Sequence, residues 1–166
     1  FTQHAARNTN PMKIGVISDT HDFLDPRVQE LFADVDHIVH AGDIGTVWIT
    51  FQLEQIAPVT AVFGNTDSGL SFKETELVEV AGYKFLVQHI VDPRTPDEKL
   101  RRRIAKDKPH FVVFGHTHKA LDQTVGSVRY FNPGYAGRPR FNQPRSVALL
   151  TITQAGLTLE HLPLGG

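Results

Sequence analysis

The sequence predicts an α/β fold: a four-layer α/β/β/α sandwich in which two mixed sheets are flanked by helices. Three observations predict it. Five strand-length apolar runs recur along the chain, "KIGVISD", "HIVHAGD", "VTAVFGN", "YKFLVQH" and "HFVVFGH". Helix-like segments separate most of them in the first half. The second half instead shows paired strands with short turns, the mark of antiparallel sheet.

The elements follow in order. Residues 1–11, "FTQHAARNTNP", are polar and lack periodicity. They are expected to be a disordered or vector-derived extension, with Met12 as the natural start and one domain over residues 12–166. The first strand runs toward Asp19. "DPRVQELFADV" reads as a helix with Asp25 as cap and Pro26 at the first helical position. Val28, Leu31, Phe32 and Val35 then fall at i, i+3, i+4 and i+7, one apolar stripe. The second strand leads to Asp43. A helix is expected from Thr46, with Ile49, Leu53 and Ile56 on one face and Trp48 in the core. The third strand leads to Asn65. "KETELVEV" alternates polar and apolar, turns at Ala81-Gly82 and returns as "YKFLVQ", a hairpin ending at His89. "TPDEKLRRRIAKD" is a helix with Thr95 as cap, acids early and bases late; its Arg101-Arg102-Arg103 run reads as a solvated face. A fifth strand leads to His116 and His118. Two further hairpins are expected in "DQTV-GS-VRYFNPG" and "SVALLTI-TQAG-LTLEHLPL".

Composition narrows the function. The chain has 166 residues, 40% of them hydrophobic and 21% charged, and a formal net charge of −1. That balance gives no strong nucleic-acid or anionic-membrane signal. No apolar run reaches the roughly 18 residues of a membrane span. The chain contains no cysteine. Disulfides and thiolate metal sites are therefore excluded, and a reducing, cytoplasmic setting is expected.

Each of the five runs ends in a residue able to bind a cation. The end residues are 24, 22, 24 and 27 positions apart, and the intervening segments are unlike one another, so this is no solenoid repeat. Gly42, Gly64 and Gly115 are read as sharp exits from their strands. Asp19 and His21 lie two apart, as do His116 and His118, and residues i and i+2 face one side of an extended chain. Singly, each donor has an ordinary reading: a cap, a turn former, a core histidine. Five consecutive runs ending alike do not. The donors are Asp19, His21, Asp43, Asn65, His89, His116 and His118. Seven N/O donors, with Asp43 able to bridge and no sulfur, suit two divalent transition ions and suit calcium poorly. Manganese is expected first, with iron, zinc, nickel and cobalt as alternatives.

The motifs resemble those of the calcineurin-like metallophosphoesterases, over nearly the whole chain from Met12. "DTH" at 19–21 is similar to the family's Asp-x-His. "GD" at 42–43, "GNTD" at 64–67 and "GHTH" at 115–118 correspond to its further motifs, and His89 to its lone histidine. The start "MKIGVISDTH" and "NPG" at 132–134 resemble the small bacterial and archaeal phosphodiesterase branch, which is itself similar to a scaffold subunit of the retromer coat. The resemblance implies that Asp19, His21, Asp43 and His118 hold one ion. It implies that Asp43, Asn65, His89 and His116 hold a second, with Asp43 shared. Asp43, Asn65 and His116 are the catalytic candidates, and Asn65 and Arg138 the substrate contacts. Arg140 stands in the same loop.

The expected function is a dinuclear metal-dependent phosphoesterase acting on small phosphodiesters through a metal-bridging hydroxide. No protein nucleophile is needed, which fits the lack of cysteine and of a Gly-x-Ser-x-Gly elbow. The alternative is a protein-binding scaffold of the same fold with a vestigial site. A nuclease would want a basic groove. A homo-oligomer is open. Three positions depart from the family pattern. Thr66 stands where many members have a leaving-group histidine, Ile90 where they have glycine, and Tyr135 where serine follows "NPG". His40 is expected beneath or beside the site and Asp67 in its own loop. Phe131 and Tyr135 are possible pocket walls.

Overall fold

The computed structural model of the chain describes residues 10–165. Residues 1–9 of the expected extension lie outside that range. Ten strands form two five-stranded sheets. The first sheet contains β1 (Met12–Ile17), β2 (His37–His40), β3 (Val59–Ala61), β9 (Ser146–Thr153) and β10 (Gly156–Pro163), in the order β10-β9-β1-β2-β3. The second contains β4 (Thr75–Val80), β5 (Tyr83–Gln88), β6 (Phe111–Val113), β7 (Leu121–Val125) and β8 (Val128–Asn132), in the order β4-β5-β6-β8-β7. Both sheets are mixed. β1, β2 and β3 are parallel, with β9 antiparallel to β1 and to β10. β5, β6 and β8 are parallel, and the expected hairpins β4–β5 and β7–β8 close the edges.

Strand alternation sorts the side chains into layers. Ile14 and Val16 of β1, Val39 of β2, Phe85 and Val87 of β5, and Phe111 and Val113 of β6 meet between the sheets. Ile17 and Ile38 turn outward to α1 (Arg27–Leu31) and α2 (Val47–Glu54), meeting Val28, Phe32, Ile49 and Leu53. Leu86 and Val112 turn outward on the other side to Leu100 of α3 (Glu98–Asp107). The result is the expected four-layer α/β/β/α sandwich. Phe32 is fully buried and would lie 2.8 Å from a Cβ on Gly15, so glycine there lets helix α1 seat on β1. Each such buried side chain contributes about 2 kcal/mol of apolar burial.

Several local readings change. The cap of α3 is Asp97, whose side chain accepts from Leu100 N at 2.8 Å. Thr95 instead donates to Asp92 at 2.9 Å, and α3 begins only at Glu98, with Pro96 ahead of its cap. Thr46 starts α2 as expected, yet its hydroxyl donates to Asp22 at 2.6 Å rather than capping. Trp48 is not in the core: it is 64% exposed beside exposed Val47 and Phe51. Helix α2 is apolar on nearly every face, and Ile49 and Leu53 already fill the buried side. Phe131 is fully buried in the core between the sheets. Among the described residues no helix is long and apolar enough to cross a membrane.

Candidate metal centre

All seven expected donors lie in loops just past carboxyl ends of parallel strands. Asp19, Asp43 and Asn65 follow β1, β2 and β3 of the first sheet. His89, His116 and His118 follow β5 and β6 of the second. The two sheets therefore bring their donors to one seam. Asp19, His21 and His118 form one group and Asp43, His89 and His116 another, the donor atoms of each lying within 4.8 Å of one another. Each group takes residues from both sheets. Asn65 joins the second, its Oδ1 lying 3.0 Å from His116 Nδ1.

Asp19 is fully buried. Its Oδ2 accepts from Ser18 Oγ at 2.7 Å and from the His116 amide at 3.1 Å. Its Oδ1 faces inward, 3.2 Å from His118 Nε2 and 3.8 Å from His21 Nε2. Asp43 behaves alike. Oδ1 accepts from the Thr66 amide at 2.9 Å. Oδ2 lies 3.1 Å from His89 Nε2 and 3.8 Å from His21 Nε2, so it reaches an imidazole of each group.

His89 Nδ1 donates to the Ala41 carbonyl at 2.7 Å. A carbonyl only accepts, so Nδ1 carries a proton and Nε2 is left facing two carboxylates. Such an arrangement needs a cation between its atoms, a second proton on Nε2 or a metal ion. Burial pushes the His89 pKa down; the nearby carboxylates of Asp43 and Asp19 and the Ala41 carbonyl outweigh it and leave it raised. Burial likewise pushes Asp43 up, but His89 and the Thr66 amide hold its carboxyl well below the usual range. His118 is lowered, first by burial and then by His21 and Arg140, against the pull of Asp19.

The donor set fits divalent ions. Asp19 Oδ1, His21 Nε2 and His89 Nε2 are buried and have no hydrogen-bond partner. Buried polar atoms are rarely left so, and a metal ion at each group would satisfy them together.

The backbone reaches this arrangement by an unexpected route. Asp19, His21, Asp43, His116 and His118 all have positive φ, from 45° to 69°. Left-handed turns, not strand alternation, bring Asp19 and His21 into one group and send His116 and His118 to different ones. Such conformations cost on the order of 1 kcal/mol or more each, and gather where surrounding structure enforces them. Of the three expected glycine exits, only Gly42 has a positive φ, 100°. At Gly115 the demand is close approach, since a Cβ would collide with Ser18 Oγ and lie 2.6 Å from Asp19 Oδ2.

Supporting residues also come into view. His40 is fully buried and packs beneath the site. Its Nδ1 accepts from the Gly42 amide at 3.1 Å, so Nε2 carries the proton and donates to Thr20 Oγ1 at 3.0 Å. Burial, then the charge of His89, lowers its pKa to about 3, so it stays neutral. Asp67 ties its own loop, accepting from Gly64 N at 2.9 Å and Gly45 N at 3.0 Å. Tyr135 borders the first group, its ring 4.7 Å from that of His118 and 6.4 Å from that of His21. Arg140 stands over Tyr135 at 5.1 Å, and Arg138 over Phe23 at 4.9 Å. Ser18, Asn132 and Gln143 escaped the sequence reading. Asn132 braces the Gly115 carbonyl at 2.9 Å and Gln143 that of His118 at 2.9 Å. Only the adjacency of Ser18 to Asp19 and of Asn132 to "PG" could have signalled them.

Parallel strands from two sheets, delivering N/O donor groups to one seam, define an α/β sandwich with a candidate metal centre. The calcineurin-like phosphoesterase superfamily domain matches residues 12–155, and the chain belongs to that superfamily. A probable metallophosphoesterase of Methanothermobacter thermautotrophicus is 33% identical over 162 residues, covering 93% of this chain and 94% of the relative. A phosphodiesterase of Methanocaldococcus jannaschii is 29% identical over 140 residues, 74% of this chain and 83% of its own. The crystal structure of Vps29 from Entamoeba histolytica, complexed with zinc, shares the fold. Its TM-score is 0.70 at 22% identity, over 93% of this chain and all of that one.

Proposed function

We propose that the segment from Met12 onward acts as one dinuclear metal-dependent phosphoesterase domain that prefers phosphodiesters, with manganese as the working metal. One observation carries this reading: the inward oxygen of Asp43 stands between the two donor groups, facing His21 of one and His89 of the other. Asp19, His21, Asp43 and His118 would hold one ion and Asp43, Asn65, His89 and His116 the second. When bound, such a pair clamps a phosphate and lowers the pKa of a water between the ions. The chain's own contribution is positioning. Ser18, Thr66, the His116 amide and Ala41 aim the inward atoms of Asp19, Asp43 and His89. Arg140 on Tyr135 and Arg138 on Phe23 stand in one loop as cations for a substrate phosphate, and Asn65 would be a further contact. Thr66 has no useful acid pKa, so the leaving alcohol must have a low pKa itself or take its proton from water.

The phosphodiesterase relative supports the preference for diesters. The test is turnover of p-nitrophenyl diesters and monoesters with added manganese. The diester is expected to be cleaved faster; faster monoester turnover sinks the preference. Thr66 and the exposed apolar face of α2 favour the scaffold reading. Metal analysis of protein purified without chelator separates the two: a scaffold with a vestigial site would come without stoichiometric metal.

A further inference from the structure

A cavity of about 310 Å³ opens beside Asn65 and His89, at the second donor group. The hydrolytic reading uses those two residues and leaves its other walls unexplained. Phe63 and Ile90 make an apolar wall, and Ile90 is 49% exposed. The wall is held in place from below. Buried Gln88 accepts from Thr75 Oγ1 at 2.8 Å and donates to the Ile90 carbonyl at 3.1 Å, so β4 and β5 fix the backbone at Ile90. Two carboxylates, Glu74 and Asp97, also line the cavity. Glu74 meets the exposed Lys99 at 3.1 Å, and Asp97 uses Oδ1 to cap α3. No lysine or arginine is among the residues lining the cavity.

Two departures from the family pattern, Thr66 and Ile90, each directly follow a donor that borders this cavity. The chain is thus individual where the cavity is. A phosphate seated at the donor groups would leave one ester substituent beside it. The Asp97 charge, with no cation lining the cavity beside it, disfavours a second phosphate or a carboxylate there, and its carboxylate accepts N–H or O–H donors. The apolar wall favours a flat ring.

We infer that this cavity is the subsite for one alcohol of the substrate, and that this alcohol is a neutral, ring-bearing, donor-rich group of nucleoside type. Ile90 and Asp97 set that specificity. The inference rests on the phosphodiester reading above, and the test keeps the two apart. The purified protein is titrated with guanosine 5′-monophosphate and, separately, ribose 5-phosphate, followed by amide chemical shifts. The two probes share ribose and phosphate, and only the base differs.

Guanosine 5′-monophosphate is expected to shift the amides of Phe63, Ile90 and Asp97 and to bind at least about fivefold more tightly than ribose 5-phosphate. Ile90→Gly removes the wall. Asp97→Asn removes the charge while keeping a good helix cap. Each is expected to abolish most of that ratio. Equal binding of the two probes, or shifts confined to other surfaces, overturns the subsite. Base-selective binding with no turnover of any diester sinks the hydrolytic reading and leaves the subsite; turnover with equal binding does the reverse.

Discussion

Two buried carboxylate clusters lie in this molecule, and they are finished differently. Asp25, 4% exposed, accepts from Arg27 N and Nε at 2.9 Å, from Arg27 Nη2 at 2.7 Å and from Arg145 Nη2 at 2.8 Å. Arg145 is itself buried and donates to the Gly137 carbonyl at 2.7 Å. This cluster supplies its own cations and is satisfied. It joins the loop after Asp22 to the loop that carries Arg138 and Arg140. Asp19 and Asp43 are equally buried, but their inward oxygens face only imidazoles, and three of the atoms there have no partner. A charge cluster meant to hold the fold closes on itself. One meant to take a cation from outside leaves its best donors aimed at a common point.

The largest expected effect breaks the second cluster. Asp43→Ala should lower kcat/KM by at least about 10³-fold, about 4 kcal/mol, and lose bound metal in the same preparation. In chelator its urea midpoint should equal or exceed that of the parent, because a buried charge facing lone pairs has gone. Retained turnover removes Asp43 from the bridge.

The satisfied cluster should respond in the opposite sense. Asp25→Ala strands a buried guanidinium, and a loss of about 3 kcal/mol or more is expected in urea unfolding. A loss under about 1 kcal/mol would mean the two clusters are not different in kind.

The smallest effect is a slope against pH in chelator-treated protein. The folded pKa of His40 is lowered from 6.5 to about 3. Between those values the unfolded chain binds a proton that the folded chain does not. The stability this contributes is complete above 6.5 and is lost as pH falls toward 3, at most about 1.4 kcal/mol per pH unit. His37 and His118, also lowered, act in the same direction. The Asp25 carboxyl is held well below its usual range, chiefly by Arg27, so its contribution is lost only below about pH 3.9. Urea titrations from pH 7 to 4 should therefore show a slope that His40→Asn reduces; an unchanged slope refutes the assignment.

Much of this was legible in the residues. The five runs ending in donors, the hairpin turn at Ala81-Gly82 and the Val28–Phe32 stripe are local patterns, set by strand and helix periodicity. The misreadings were matters of context. Trp48 looked like core because α2 is apolar on most faces, and nothing local says which face is already filled. Thr95 and Asp97 both look like caps, and the turn that ties Thr95 to Asp92 decides between them. Tyr135 could be read as a wall, but its packing on His118 depends on a loop brought back by β9. Period-two alternation does not describe the pairs at 19/21 and 116/118: their backbone is left-handed, and His116 and His118 go to different groups.

The order and chemistry of the donors belong to the sequence, because which atoms can bind a cation is a property of residue type. Their meeting belongs to the tertiary structure. Asp19 and His118 are 99 positions apart and lie on different sheets, and only the packing of one sheet on the other closes that distance. The same packing excludes water from Asp19 and Asp43, and it is this desolvation that makes their unmet oxygens call for a cation.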